Sequence, residues 1–246
     1  MYQGFAAVYD QFMGDVPYDA WAAYINRILQ QHLPHTQNGE APMVLDMACG
    51  TGSITLRLAA MGYDMIGVDA SADMLVQAQE KAYEAGRRVL WLAQDMRELD
   101  LYGTVDAAVC VCDGLNYLLE DDELREVFRR VRLFLNPGGV FIFDMNTEYK
   151  FREVLGDKSF GGEHGNDAYV WDNHYDAHSQ INEYHVVFYS RKGGQPFEEL
   201  HYQRAYDLET VCAWLAEADF TVEMRDGYSD LPPHETSTRV TYLCKC

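Results

Sequence analysis

Two hydrophobic patterns alternate along the first 146 residues of the chain, and a third replaces them afterwards. Short, mainly apolar runs stand at Val44–Met47, Tyr63–Val68, Val89–Ala93, Val105–Cys112 and Val140–Met145, and all but the first are followed directly by a polar residue. Near-continuous apolar runs of this kind predict strands buried on both faces, as in a parallel sheet. Between them, 3.6-residue spacing predicts helices from Ser53 to Met61, stopped at Gly62, and from a Ser71 cap to Gly86. A third helix is predicted from Glu120 to Leu135, stopped by Asn136-Pro137-Gly138-Gly139. Strand and helix in alternation imply a doubly wound α/β sheet.

From about 147 to 206 the period changes. Tyr169–Tyr175, Ile181–Ser190 and Phe197–Tyr206 alternate aromatic with polar residues around a Gly193-Gly194 turn, which predicts antiparallel hairpins. Asp207 then caps a helix over Leu208–Ala218, and two last strands are predicted at about Thr221–Asp226 and Arg239–Lys245. The N-terminal stretch is rich in rings: Tyr2, Phe5, Tyr9, Phe12, Tyr18, Trp21 and Tyr24. Phe5, Tyr9 and Phe12 recur at helical spacing, a second helix follows Pro17 from about Asp19, and His35–Pro42 with its Asn38-Gly39 turn is a polar linker.

With 246 residues and 28.1 kDa, the chain is most simply one domain with an insertion. Nineteen basic against 39 acidic residues give a net charge of −20, which repels phosphate backbones and makes nucleic acid an unfavourable partner. The densest basic cluster, Arg125, Arg129, Arg130 and Arg132, is interleaved with Glu123 and Glu126 as a solvated helix face. No apolar run approaches the ~20 residues needed to span a bilayer and no signal core opens the chain, so the expectation is a cytoplasmic protein without a membrane partner. The cysteines at 49, 110, 112, 212, 244 and 246 lack the C-x-x-C spacing of structural zinc and read as free thiols.

The chemistry concentrates around residue 50. Val44-Leu45-Asp46-Met47-Ala48-Cys49-Gly50-Thr51-Gly52 is a strand feeding a tight glycine turn that opens a helix. Glycines there let a ligand lie almost against the backbone. Asp69 closes the second strand where a carboxylate accepts from a ribose. A dinucleotide fingerprint would place glycine at 55, where Thr55 stands, and Asp46 beside the turn would repel a phosphate but could accept from a ligand ammonium. The expected ligand is a nucleoside bearing an amino acid group.

Asp46-x-Ala48-Cys49-Gly50-Thr51-Gly52, Asp69 with Ser71 and Met74, Gln94-Asp95-Met96, and Asn136-Pro137-Gly138-Gly139 resemble, in order, the motifs of class I S-adenosylmethionine-dependent methyltransferases. Ala48 stands where many members carry glycine. The inserted antiparallel strands resemble the substrate lid of the glycine/sarcosine and amino-sugar N-methyltransferase branches. The resemblance implies a Rossmann-like seven-stranded sheet from 41–146 and 207–246, closed by an antiparallel pair, with an N-terminal helical lid at 1–40 and an antiparallel β insertion at 147–206. It implies S-adenosyl-L-methionine as cofactor, held by Asp46, Ala48, Cys49, Gly50, Gly52, Asp69, Ala70, Met74, Asp95, Met96, Cys112 and Tyr117, with Tyr18 and Trp21 of the lid offering aromatic faces to the sulfonium. Asp95 would accept from the adenine amine and the Met96 N–H would donate to a ring nitrogen.

The end of the fourth strand, Asp113-Gly114-Leu115-Asn116-Tyr117, is where an acceptor should meet the methyl group. Methyl transfer needs alignment above all, and an amine must also lose a proton. Asp113, Asn116 and Tyr117, with Tyr9 from the lid, are the candidates to assist, and His174 is a weaker one. His174, His178, His185 and His201 have no metal-ligand spacing, so no metal is expected. The expectation is methyl transfer to a small-molecule acceptor, at nitrogen in preference to oxygen, with a homodimer left open. The alternatives are a methyltransferase on RNA or protein, a non-catalytic S-adenosylmethionine-binding protein, and a nicotinamide oxidoreductase, whose fingerprint Thr55 breaks.

Overall fold

The computed structural model describes residues 6–33, 39–164, 167–190 and 196–246; the expectations placed on Tyr2, Phe5, His35, Asn38 and the Gly193-Gly194 turn lie outside them. In chain order the elements are α1 (Ala6–Phe12), α2 (Tyr18–His32), β1 (Met43–Met47), α3 (Ser53–Ala60), β2 (Asp64–Asp69), α4 (Ala72–Glu84), β3 (Leu90–Ala93) and β4 (Val105–Cys110). There follow α5 (Asp121–Phe134), β5 (Leu135–Asn146), β6 (Ser159–His164), β7 (Asp167–Asp176), β8 (Ile181–Ser190), β9 (Phe197–Arg204), α6 (Leu208–Glu217), β10 (Thr221–Asp226) and β11 (Arg239–Lys245).

The expected α/β fold is borne out. A seven-stranded sheet runs in the order β10-β11-β5-β4-β1-β2-β3. Strands β1 to β5 pair in parallel, and β11 is antiparallel to both β5 and β10. The chain winds outward from β1 to β3 and then crosses back to β4, so the crevice between β1 and β4 is the topological switch point where such sheets bind ligands. Alternate residues feed opposite layers, as a sheet covered on both faces requires. Leu45 and Met47 join Phe128, Phe141, Phe143 and Tyr242 on one side, while Val44 joins Ile25, Ile28, Leu58, Ile142 and Leu243 on the other. Sequence signals set the helix starts: the Ser71 hydroxyl accepts from the Met74 N–H at 3.3 Å, Asp207 accepts from the Thr210 N–H at 2.9 Å, and Glu120 with Glu123 forms a capping box on α5.

Two boundaries differ from the sequence reading. Strand β4 ends at Cys110 because Cys112 and Asp113 take left-handed backbone angles, φ 65° and 53°, which no strand accommodates. Asn136 to Gly139 stop α5 but lie in β5 as a bulge, since the register jumps from Val105 opposite Leu135 to Ala107 opposite Val140.

A four-stranded antiparallel sheet, β6-β7-β8-β9, stands over the carboxyl ends of the parallel strands. Its first strand and a π-helical turn at Lys150–Leu155 had no clear sequence signature. Period-two alternation sends Trp171, Asn173, Asn182, Tyr184, Val186, Phe188, Glu199, His201 and Gln203 inward, and leaves Asp172, His174, Glu183, Glu198, Leu200 and Tyr202 exposed. Helix α1 packs between α4 and this sheet, with Phe12 5.0 Å from Tyr169 and 4.9 Å from Phe188 between ring centroids.

Candidate active site

The glycine turn begins where β1 ends. Ala48, Gly50 and Gly52 all have positive φ, 51°, 54° and 77°. The turn is braced by the Cys49 N–H donating to the Val68 carbonyl at 3.0 Å and the Gly52 N–H to the Cys49 carbonyl at 2.9 Å. Asp69 locks it to β2: Oδ2 accepts from the Gly50 N–H at 2.7 Å and Oδ1 from the Ser71 N–H at 2.8 Å. From behind, the Trp91 indole presses so close that a Cβ at Gly52 would lie 2.7 Å from Cη2, and one at Gly67 2.4 Å from the ring. A Cβ at Gly50, by contrast, would meet nothing within 4 Å. That bare face opens on a cleft lined by Tyr9, Tyr18, Asp46, Ala48, Cys49, Gly50, Thr51, Ser53, Ile54, Val111 and Cys112.

Asp46 is 2% exposed, and its Oδ2 accepts from the hydroxyl of Thr55, itself 0% exposed, at 2.5 Å. Burial pushes its carboxyl up to about 7, with the charge of Asp69 adding and the Thr55 bond opposing. A partly protonated carboxyl at the edge of a cleft is a group that lacks a cation.

The lid is tied to the turn by charge. Thr51 Oγ1 donates to Asp10 Oδ1 at 2.6 Å, and Lys81 Nζ donates to Asp10 Oδ2 at 2.6 Å and to Thr51 Oγ1 at 3.0 Å. Tyr9 and Tyr18 bring their rings to the cleft, and the Tyr18 hydroxyl bonds to Tyr9 and Cys112. Trp21 takes a different part from the one the sequence suggested. Its ring stacks on Tyr228 at 4.4 Å and carries the Arg239 guanidinium 5.2 Å from its centroid, so its aromatic face serves a protein cation.

The tip of β4 is an ion-pair network. Arg239 bonds through Nη2 to Asp113 Oδ1 and through Nη1 to Asp144 Oδ2, both at 2.7 Å. Gln203 Nε2 donates to Asp113 Oδ2 at 2.6 Å, and the Tyr228 hydroxyl donates to Asp144. Burial alone would raise the Asp113 carboxyl, but the charges of Arg239 and Lys150 outweigh it and hold the pKa below the usual range. Both Asp113 oxygens are thus engaged within the protein. Asn116 is 0% exposed: Nδ2 donates to the Arg204 and Asn146 carbonyls at 2.8 and 3.2 Å, and Oδ1 accepts from the Asn146 N–H at 2.9 Å. Its amide is spent on stapling β5 to the end of β9. The Tyr117 hydroxyl bonds to that of Tyr184 and lies 3.4 Å from His201 Nδ1, and Tyr184 stacks on His201 at 4.8 Å. Tyr117 therefore joins the inner face of the antiparallel sheet.

Met74 is 2% exposed, in a cluster with Ala6, Val186 and Phe188, and Ala70 is exposed between Asp69 and Ser71. Asp95 caps the short turn that Met96 opens, and its oxygens accept from the Arg97 N–H, Nε and Nη2. Its first commitment is thus to a neighbouring arginine. Of the histidines, His174 pairs with Asp157 and His185 with Glu198 at exposed positions, which takes His174 away from the acceptor side, whereas burial drives the His201 imidazole down to about 4. Among the described residues no three His, Cys, Asp or Glu side chains gather to hold a metal.

Comparison with known proteins decides the family. The family described as a methyltransferase domain matches residues 44–139. A candidate methyltransferase of Geobacillus sp. (strain WCH70) is 35% identical over 248 residues, covering 99% of each chain. The crystal structure of an S-adenosylmethionine-dependent methyltransferase from Clostridium acetobutylicum ATCC 824 superposes with a TM-score of 0.88 at 31% identity, covering 99% of this chain and 98% of that one. The chain belongs to the S-adenosylmethionine-dependent methyltransferases. A glycine/sarcosine N-methyltransferase of Halorhodospira halochloris is 34% identical over 109 residues, 44% of this methyltransferase and 41% of that enzyme.

Several residues of the methyltransferase site escaped the sequence reading. Asp144 could have been found, because an acid inside the apolar run Val140–Met145 requires a buried cation, which Arg239 supplies. Gly67 inside a strand likewise signals close approach by a bulky neighbour, here Trp91. Asp10, Lys81, Gln203 and Tyr228 meet the cleft and the β4 tip across 28 or more residues of sequence and carry no local signal.

Proposed function

We propose that this methyltransferase acts on the nitrogen of a small amine enclosed between the cleft and the antiparallel sheet. One observation carries the proposal: Tyr117 at the end of β4 is bonded to Tyr184 and faces His201 on the inner face of that sheet, so an aromatic wall closes over the strand ends. A wall of this kind favours a compact acceptor over a polymer. The net charge of −20 opposes a polyanion, and the likeness to the glycine/sarcosine N-methyltransferase of Halorhodospira halochloris supports nitrogen as the acceptor atom.

The cofactor fits on physical grounds. The open face of Gly50 leaves room against the backbone, and Asp46 offers a buried carboxyl whose ionisation an ammonium would restore. In this reading Asp46 receives the amino group and Asp69 spends its remaining lone pairs on ribose hydroxyls. Tyr18, Ala48, Cys49 and Cys112 wall the aminoacyl end, while Ala70, Met74, Asp95 and Met96 border the adenine, Asp95 by turning from Arg97. When bound, S-adenosylmethionine supplies a methyl group on a sulfonium that leaves as a neutral thioether. The chain's own work is to hold the acceptor nitrogen in line at about 3 Å, an alignment worth about 7 to 11 kcal/mol. Tyr9 from the lid and Tyr117 from the β4 tip position the acceptor. The described groups near the tip make poor bases: Asp113 is engaged on both oxygens and His201 is neutral with a low pKa. The amine accordingly docks unprotonated, having lost its proton to water.

The test is methyl transfer from methyl-labelled S-adenosylmethionine to a panel of amines, amino acids, amino sugars and phenols, with the product bond read by NMR. Labelled N-methyl products are the expected result. Label found only on phenol oxygen, or only on added RNA or protein, would reject the proposal.

A further inference from the structure

Lys150 opens the π-helical turn Lys150–Leu155 shortly after β5. Such turns are uncommon and gather at functional sites. The side chain is half-buried, and Nζ donates to Asn146 Oδ1 at 2.8 Å. Arg239 divides one charge between Asp113 and Asp144, whose oxygens are further engaged by Gln203, Tyr228 and the Asp113 N–H. Lys150 balances the remaining negative charge from a distance: no carboxylate among the described residues comes within ion-pair range of Nζ, and two of its N–H donors meet no protein acceptor there. Burial lowers its pKa, with Asp113 opposing. An ammonium short of acceptors near the end of β5 is matched by a group made of anionic oxygens.

We infer that Lys150 is a specificity residue that receives a carboxylate or phosphate of the acceptor, so that the substrate class is an amine carrying an anionic group. This rests on the reading of the protein as a small-molecule N-methyltransferase and narrows it. A lysine suits the task as a compact cation with three rotatable donors.

The test compares matched acceptors with and without the anion: amino carboxylates against their amides, and amino phosphates against the parent amino alcohols. On wild-type protein kcat/KM is expected to favour one anionic series by 10-fold or more, and which series wins separates carboxylate from phosphate. Lys150→Met should raise KM for that series by 10-fold or more, abolish the preference and leave S-adenosylhomocysteine affinity unchanged, and Lys150→Arg should restore part of it. Amines methylated without preference, or a preference that survives Lys150→Met, would overturn the inference while leaving N-methylation standing. A binding arm stands apart from turnover: acetate and inorganic phosphate are titrated into the S-adenosylhomocysteine complex and followed by calorimetry. One of the two should bind wild type and be lost in Lys150→Met, whereas equal binding or none in both proteins would overturn the inference.

Discussion

The hydroxyl of Thr55 donates to the carboxylate of Asp46 at 2.5 Å in the floor of the cleft, where both residues are sealed from solvent. The pair explains why threonine stands where a dinucleotide fingerprint has glycine. The hydroxyl favours the charged form of an acid that burial has pushed up to about 7, and so keeps it within reach of ionisation near neutrality.

Cofactor affinity should therefore depend on pH. Asp46 must be ionised to receive an ammonium, so affinity should fall as pH drops below about 7, approaching 10-fold per unit, and level off above it. Calorimetry of S-adenosylhomocysteine in buffers of differing ionisation enthalpy should show net proton release below that point.

Asp46→Asn should separate stability from function. The folded pKa lies above the unfolded one, so the folded state binds more protons between about pH 4 and 7 and this group lowers stability as pH rises through that window. At pH 8 the variant should be more stable than wild type without ligand, by about 1 to 3 kcal/mol, and the difference should vanish near pH 4. It should lose 10-fold or more in S-adenosylmethionine affinity. Denaturant melts at the two pH values and a binding titration check both.

Gly50 and Gly52 should respond differently to alanine. Both need positive φ, which costs about 1 to 2 kcal/mol in an alanine. At Gly52 the new methyl also meets Trp91 at 2.7 Å and Ala78 at 3.2 Å, so Gly52→Ala should lower the melting temperature more. At Gly50 the methyl enters open space beside the cleft, so Gly50→Ala should lose only the backbone term of about 1 to 2 kcal/mol, a smaller drop than in Gly52→Ala, yet bind S-adenosylhomocysteine at least 10-fold more weakly.

Arg239→Met should destabilise by about 3 to 5 kcal/mol, because Asp113 and Asp144 then lie buried without a counter-charge. Trp21 and Tyr228 would lose their fixed neighbour as well. Arg239→Lys should recover only part of the loss, since one ammonium cannot bridge both carboxylates with the same fork. Chemical denaturation measures the series.

How far the sequence could be read followed the range of the interactions involved. The parallel strands and helix caps depend on neighbours in the chain, and the apolar runs, Ser71, Asp207 and the Glu120–Glu123 box disclosed them. The turn at Gly50 was legible for the same reason. The β4 tip was not: Asp113 and Asn116 looked available because their partners, Arg239, Gln203 and the Arg204 carbonyl, come from strands 88 to 126 residues away. Trp21 likewise has partners that its neighbours in sequence do not show, its ring lying against Tyr228 and Arg239. Burial turned each of these polar or aromatic groups toward the protein itself, and residue type alone does not reveal that.

The account depends most on the cleft at Gly50 seating an adenosine through its amino acid end. Paired calorimetric titrations of the full chain at pH 8 with S-adenosylhomocysteine and with methylthioadenosine, which lacks the amino acid, address that point directly. One-to-one binding of the first, with the second at least 10-fold weaker and that gap removed in Asp46→Asn, is the expected result. Equal affinity for the two ligands, or no binding of either, would contradict it.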